Sequence, residues 1–274
     1  MPEVHASSIV HPEARLAEDV VVGPFSCVGA GVTLGAGTVL KSHVVIEGPT
    51  VIGERNTVFP FAVIGVVPQD LKFAGEPSET VIGNSNTIRE GVTIHRGTQA
   101  NMRTVVGSGC LLMAYSHVAH DCVVGSGVIL ANLATLAGHV TVEDHAIIGG
   151  LTGVQQFNRI GAYSYTGGGC MVTQGVPPFM LVYNYPATHV GSINEVGLRR
   201  HGFSDERVGL IKRAYRILYR SGLAPKGALE RIKAELEPNE DIARLTAFLE
   251  GADRGIVKGG GRWEAGARGT GDEG

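Results

Sequence analysis

The chain has 274 residues, a formal net charge of -3 and 43% hydrophobic residues, enough to bury a substantial core in one domain with a smaller appendage. Mixed charge signs argue against a general nucleic-acid binder. The opening MPEVHASSIVHPEARL has acidic residues and no long apolar run, so it reads neither as a secretory signal nor as a membrane span, and a cytoplasmic protein is expected.

Every sixth residue from Val4 to Ile64 is Val, Leu or Ile; the phase resumes at Ile82, Ile88 and Ile94 and runs from Val106 to Ile160. Neither a helix nor an ordinary strand has that period. It is the signature of a parallel β-helix, in which each coil buries one aliphatic stripe by stacking on its neighbours. Residues 1–190 are assigned to this body. The stretches 66–80 (VVPQDLKFAGEPSET) and 99–103 interrupt it and are expected to loop out, which in a compact solenoid points to function. Cys27, Cys110, Cys122 and Cys170 form no C-x-x-C pair, so reduced, packed thiols are expected rather than disulfides or a zinc site.

From Ser192 the apolar spacing turns helical. Ser204 is a plausible N-cap for SDERVGLIKRAYRILYRSG, with a stop at Gly222, and two more helices are expected over 225–236 and 239–250. An α-helical domain is therefore assigned to 191–257. The remainder, 258–274, is rich in Gly, Arg and Glu with little to bury, and disorder is expected there. Between Leu198 and Arg220, the cations Arg199, Arg200, Arg207, Lys212, Arg213, Arg216 and Arg220 face only Asp205 and Glu206. Such a stretch is either a solvated helix face or a docking surface for an acidic partner or phosphate.

If three hexads make one coil, residues 18 apart stack at the strand spacing of a parallel sheet. His120, Gly138 and Gln156 then form one column, and Asp121, His139 and Phe157 the next. A histidine beside a carboxylate, with a glycine amide one coil above, suits acyl transfer: the imidazole accepts a proton from a hydroxyl, and the amide faces the developing oxyanion. The cluster of His117, His120 and His139 also admits a zinc hydratase, but Asp121 is free to orient an imidazole instead, and no metal is assigned.

Long strings carry a closer resemblance: HPEARL, GPFSCVG, GTVLKSHVVIEG, PQDLKFAGEP, IREGVTIHRGT, HVAHDC, ILANLATLAGHV, AIIGG, VPPF and GLRRHGFS. Over roughly residues 1–250 the chain resembles the bacterial UDP-N-acetylglucosamine acyltransferases that begin lipid A synthesis. The resemblance implies a left-handed parallel β-helix with a C-terminal α-helical domain, a homotrimer with active sites between subunits, and direct transfer of a 3-hydroxyacyl group from acyl carrier protein to the sugar 3-hydroxyl, with no further cofactor. It implies His120 as general base, Asp121 as its orienting carboxylate and Gly138 as the oxyanion donor. Asp70, Lys72, His95, His117 and His139 would contact the sugar, diphosphate or thioester. Gln156 and Arg200 would lie at the nucleotide, and acyl carrier protein becomes a candidate partner for the basic stretch.

The chain departs from the family pattern at several positions. Gln155 stands where V-H-Q-F usually has histidine, His201 where a second arginine is common, Val196 where an acid is, and Pro68 where Asn usually precedes the QDL string. Gln155 can hydrogen-bond but carries no charge. A 3-amino acceptor, giving an amide, is one reading of substitutions near the sugar. Gly168 aligns with the floor of the acyl groove and implies room for a longer chain. The sibling N-acyltransferase of the pathway usually carries an extra N-terminal domain, whereas the hexads here begin at Val4. A non-catalytic β-helix scaffold would not need the clustered histidines.

Overall fold

A computed structural model describes residues 1–184 and 187–260. Short strands form three sheets of eleven, nine and eight strands, and successive strands of the chain fall on successive sheets. The first sheet begins Glu3–Val4, Val21–Val22, Val39–Leu40; the second Ile9–Val10, Cys27–Val28, Val45–Ile46; the third Arg15–Leu16, Val32–Leu34, Thr50–Ile52. The result is a three-sided left-handed β-helix, against the usual right-handed crossover preference. The hexad residues point inward: Leu40, Ile46, Ile64, Ile88, Leu112 and Leu130 are at most 1% exposed, each contributing roughly 1.5–3 kcal/mol relative to exposure.

From residue 25 onward most turns between sheets have a residue in the left-handed region, and many are not glycine. Phe25, His43, Phe61, Tyr115, Leu133 and Leu151 mark the corner from first to second sheet. Asp121, His139 and Phe157 mark the corner from second to third. Arg55, Ser85, His145, Tyr163 and Phe179 mark the corner from third to first. Equal backbone at equal height stacks the side chains: Phe25, His43 and Phe61 lie at successive centroid spacings of 5.1 Å.

Both interruptions leave the coil at the second-to-third corner. The longer runs between strands Val63–Val66 and Glu79–Ile82, the shorter between Thr93–His95 and Arg103–Val106. A Cβ at Gly97 would collide with the Arg103 backbone, so glycine is what lets the shorter loop close. Both loops therefore overhang the coils that carry Asp121 and His139 on that corner.

The β-helix ends differently from the hexad expectation near residue 190. Strand His189–Ile193 pairs antiparallel with Met180–Tyr183, so Ser192, expected to open the helical region, lies in a strand. Helices α1 (Glu195–Arg200), α2 (Asp205–Arg220), α3 (Pro225–Glu235) and α4 (Glu240–Glu250) follow. Ser204 caps α2 by accepting from the Arg207 amide at 3.3 Å, and Asn239 caps α4 at 2.9 Å. Arg159 ties the coil to α4, ion-paired with Glu143 and lying 4.6 Å over the Phe248 ring.

After α4 the chain returns to the β-helix. The Val257 amide donates to Gly175 at 2.8 Å and the Gly260 amide to Val190 at 3.0 Å, so residues 258–260 of the expected tail are hydrogen-bonded; 261–274 lie outside the described residues. Among the described residues no helix is long and apolar enough to cross a membrane.

Candidate active site

Counting by 18 holds in this part of the coil. The His139 amide donates to the His120 carbonyl at 3.0 Å and the Phe157 amide to the Gly138 carbonyl at 3.2 Å, so the two polar columns stack as the hexad register predicts. The imidazole of His120 lies over Gly138: a Cβ there would meet its Cε1 at 2.5 Å and Nε2 at 2.6 Å. Among the described residues the Gly138 N–H has no hydrogen-bond acceptor. An uncommitted backbone donor therefore sits beside the imidazole.

His120 Nδ1 lies 2.8 Å from Asp121 Oδ2. The carboxylate side chain is fully buried while His120 is 13% exposed. With Nδ1 directed at a carboxylate, Nδ1 carries the hydrogen, and Nε2, lying over Gly138, is the ring nitrogen left to accept a proton. Burial alone would raise the Asp121 pKa, but hydrogen bonds from the Thr98 hydroxyl, His120 and the Thr98 amide, with the charge of His139, hold it below the usual value. These bonds favour the charged form of Asp121. His139 flanks the same oxygen, its Nε2 3.6 Å away, and stacks on Phe157 at 4.5 Å.

His95 and His117 complete the cluster, edge to face at 4.8 Å. Thr93 Oγ1 meets His117 Nδ1 at 2.7 Å. Burial first, then the charges of His117 and His120, hold the His95 pKa down to about 4. The unfolded chain binds that proton at higher pH than the folded chain, so this contribution is complete above about pH 6.5 and is lost as pH falls toward 4. Urea melts are expected to lose on the order of 3 kcal/mol across that window through His95, and His95→Gln to flatten the slope. An equal slope in the variant would place the linkage elsewhere.

Asp70 and Lys72 occupy the longer loop, where Asp70 Oδ1 accepts from the Lys72 amide at 3.0 Å. Burial holds the His139 pKa below its ordinary value, opposed by the negative charges of Asp121 and, more weakly, Asp70. Glu76 joins the two loops, accepting from the Gln99 amide at 3.1 Å and the Ala74 amide at 2.8 Å. Gln155 and Gln156 are exposed beside Phe157. Thr93, Glu76, Thr98 and Thr104 carry no signal of a role in the sequence. Only the interruption at 99–103 signalled the neighbourhood of Thr98.

Residues 103–138 match the bacterial transferase hexapeptide family (six repeats), and residues 176–257 match the family described as Udp N-acetylglucosamine O-acyltransferase, Domain 2. The acyl-[acyl-carrier-protein]–UDP-N-acetylglucosamine O-acyltransferase of Thermodesulfovibrio yellowstonii is 49% identical over 259 residues, spanning 94% of this chain and 100% of that relative. The chain belongs to the UDP-N-acetylglucosamine O-acyltransferase family. Among solved members, LpxA of Acinetobacter baumannii is 43% identical with a TM-score of 0.90, covering 93% of this chain and 99% of its own. The Francisella novicida UDP-N-acetylglucosamine acyltransferase is 38% identical with a TM-score of 0.91, covering 93% of this chain and 94% of its own.

Not every residue expected at the family site lies with His120 inside one chain. Arg200 closes α1 and lines a cavity of about 580 Å³ over the first sheet, with Tyr165, Asn194, Lys212 and Arg216. His201 packs on the third corner, 5.2 Å from Tyr163 and 4.9 Å from His145 between ring centroids. Gly168 sits by the first corner, against the Gly150 carbonyl. The basic stretch is also less free than its composition implies. Arg199 pairs with Glu195 and Asp205, Lys212 with Glu195, and Arg207 with Glu240 and Asp241. Arg200, Arg213, Arg216 and Arg220 have no carboxylate partner among the described residues.

Proposed function

We propose that this protein transfers a 3-hydroxyacyl group from acyl carrier protein to the 3-hydroxyl of UDP-N-acetylglucosamine, the first step of lipid A synthesis. The observation that carries the reading is the His120–Asp121 pair at 2.8 Å with the Gly138 amide beside it. His120 Nε2 takes the hydroxyl proton as the sugar oxygen attacks the thioester carbonyl. The tetrahedral oxyanion accepts from the Gly138 N–H. Collapse breaks the carbon–sulfur bond, and the departing thiolate takes the proton back from His120, so no covalent acyl-enzyme is needed.

Asp70, Lys72, His95, His117 and His139 are the sugar and phosphate contacts of this reading, with Gln155 and Gln156 toward the nucleotide. His120, Asp121 and His139 also offer three ligand atoms within 4.8 Å of one another. Both Asp121 oxygens already accept hydrogen bonds and His120 Nδ1 faces that carboxylate, an arrangement that favours acid–base work over metal binding.

Arg200 and His201 join the site across a subunit boundary in a homotrimer. The support is twofold. They sit on other faces of the prism from His120, and the first corner presents a row of exposed apolar groups, with Phe25 at 60%, Phe61 at 61%, Tyr115 at 64% and Leu151 at 69%. A row of that kind marks an interaction surface. With Arg200 in the site and Arg220 donating to the Gly191 and Gly260 carbonyls, Arg213 and Arg216 are the cations left to meet acidic acyl carrier protein, in the cytoplasm.

The test is an assay with UDP-N-acetylglucosamine and its 3-amino analogue across acyl chain lengths, run beside light scattering for mass. Ester product, longer acyl chains favoured by the Gly168 floor, and a trimer are expected. Turnover of the amino sugar alone would move the acceptor to the amide-forming reading, and no turnover with either, together with no UDP-sugar shift of the melting temperature, would leave a scaffold.

A further inference from the structure

Asp121 is held by more than its histidine. The Thr98 amide donates to Oδ1 at 2.9 Å and the Thr98 hydroxyl donates to Oδ2 at 2.6 Å. The Thr104 hydroxyl accepts from the Asp121 amide at 2.8 Å. Thr98 is 7% exposed and Asp121 2% exposed, so no solvent competes for these bonds. Two donors from one residue, one on each oxygen, fix the plane of the carboxylate. That plane aims Oδ2 at His120 Nδ1.

Thr98 is itself held from two sides. Its carbonyl accepts from the Met102 amide at 2.7 Å, closing the short loop, and the next amide, Gln99, donates to Glu76 of the longer loop. The insertion between Thr93–His95 and Arg103–Val106 thus delivers a side chain that the regular coil has no position for.

We propose that Thr98 is a positioning residue for the general base, acting only through Asp121 to set the direction and tautomer of His120. This rests on the acyltransferase reading above. A buried carboxylate that loses one of its donors is free to rotate within its pocket, and the imidazole it orients loses its fixed direction. Thr98→Val keeps the shape and the amide and removes the hydroxyl; Thr98→Ser keeps the hydroxyl.

Thr98→Val should lower kcat by about tenfold to a hundredfold, with KM for UDP-N-acetylglucosamine within about twofold, the pattern of a change felt in the transition state. Thr98→Ser should restore most of the rate. The double variant Thr98→Val with Asp121→Asn should be no slower than Asp121→Asn alone, because the two act in series. Multiplicative losses, or a Thr98→Val kcat equal to the parent's, would overturn the proposal.

A second measurement separates failure of this idea from failure of the enzymatic reading. The proton on His120 Nδ1, assigned by its loss in His120→Gln, is followed by NMR in the full-length protein without substrate. It should broaden or vanish in Thr98→Val and persist in Thr98→Ser. An unchanged signal in Thr98→Val refutes the positioning role whether or not the parent protein turns over.

Discussion

His120→Ala is expected to lower kcat by about 10²–10⁴-fold, the usual worth of a positioned general base, with a folded protein and little change in UDP-sugar binding. In the proposed reaction the ring supplies the proton acceptor at Nε2, with Nδ1 committed to Asp121. Removing it leaves Gly138 and its amide in place, so oxyanion stabilisation and substrate alignment persist and set the residual rate. The side chain is only partly exposed, and the void it leaves borders Gly138. Added imidazole should therefore recover part of the rate. His120→Gln, closer in size but without a usable base, should remain slow. Turnover at the parental rate in His120→Ala would remove His120 from the chemistry and leave the 2.8 Å pair as a structural contact.

The hexad phase made the body of the molecule legible because one inward aliphatic residue per side of the coil is a demand of packing that the six-residue period reveals. Counting by 18 then placed Gly138 against His120. It succeeds only where the coil is uninterrupted. Asn56 bonds Asn86 across 30 residues of sequence, and Thr93 bonds His117 across 24.

Those insertions are whole numbers of hexads, so the aliphatic phase runs on undisturbed while the partner one coil above changes. That is why Thr93 was not read beside His117. Thr98 was hidden for a different reason: a loop that folds back over a corner has no register, and its landing point depends on the tight closure at Gly97 and the bond to Glu76. The cationic stretch shows what composition leaves out. Seven cations in sequence read as a solvated face or a docking surface, but Arg199, Arg207 and Lys212 find carboxylates in space, two of the four, Glu240 and Asp241, from α4.

Gly138→Ala separates geometry from stability more sharply than any other single change at the site. Gly138 is not among the residues with a positive φ, so alanine fits the backbone there without strain. The nearest atoms to an added Cβ are all in the His120 ring, at 2.5, 2.6 and 3.2 Å, and a side-chain ring can move where backbone cannot. The protein should therefore fold with a melting temperature near that of the parent. The cost falls on the His120 ring: to clear the methyl it must swing off Gly138 and off the Asp121 oxygen, and the methyl also fills the approach to the amide that would face the oxyanion in the proposed reaction. A loss of kcat of about 10²–10³-fold follows from the donor alone, and displacement of the base adds to it. The measurement pairs steady-state kinetics with a thermal melt. Parental kcat in Gly138→Ala would mean that neither the amide nor the present His120 position belongs to the reacting geometry, whereas a melting temperature lowered in step with the rate would assign Gly138 to packing.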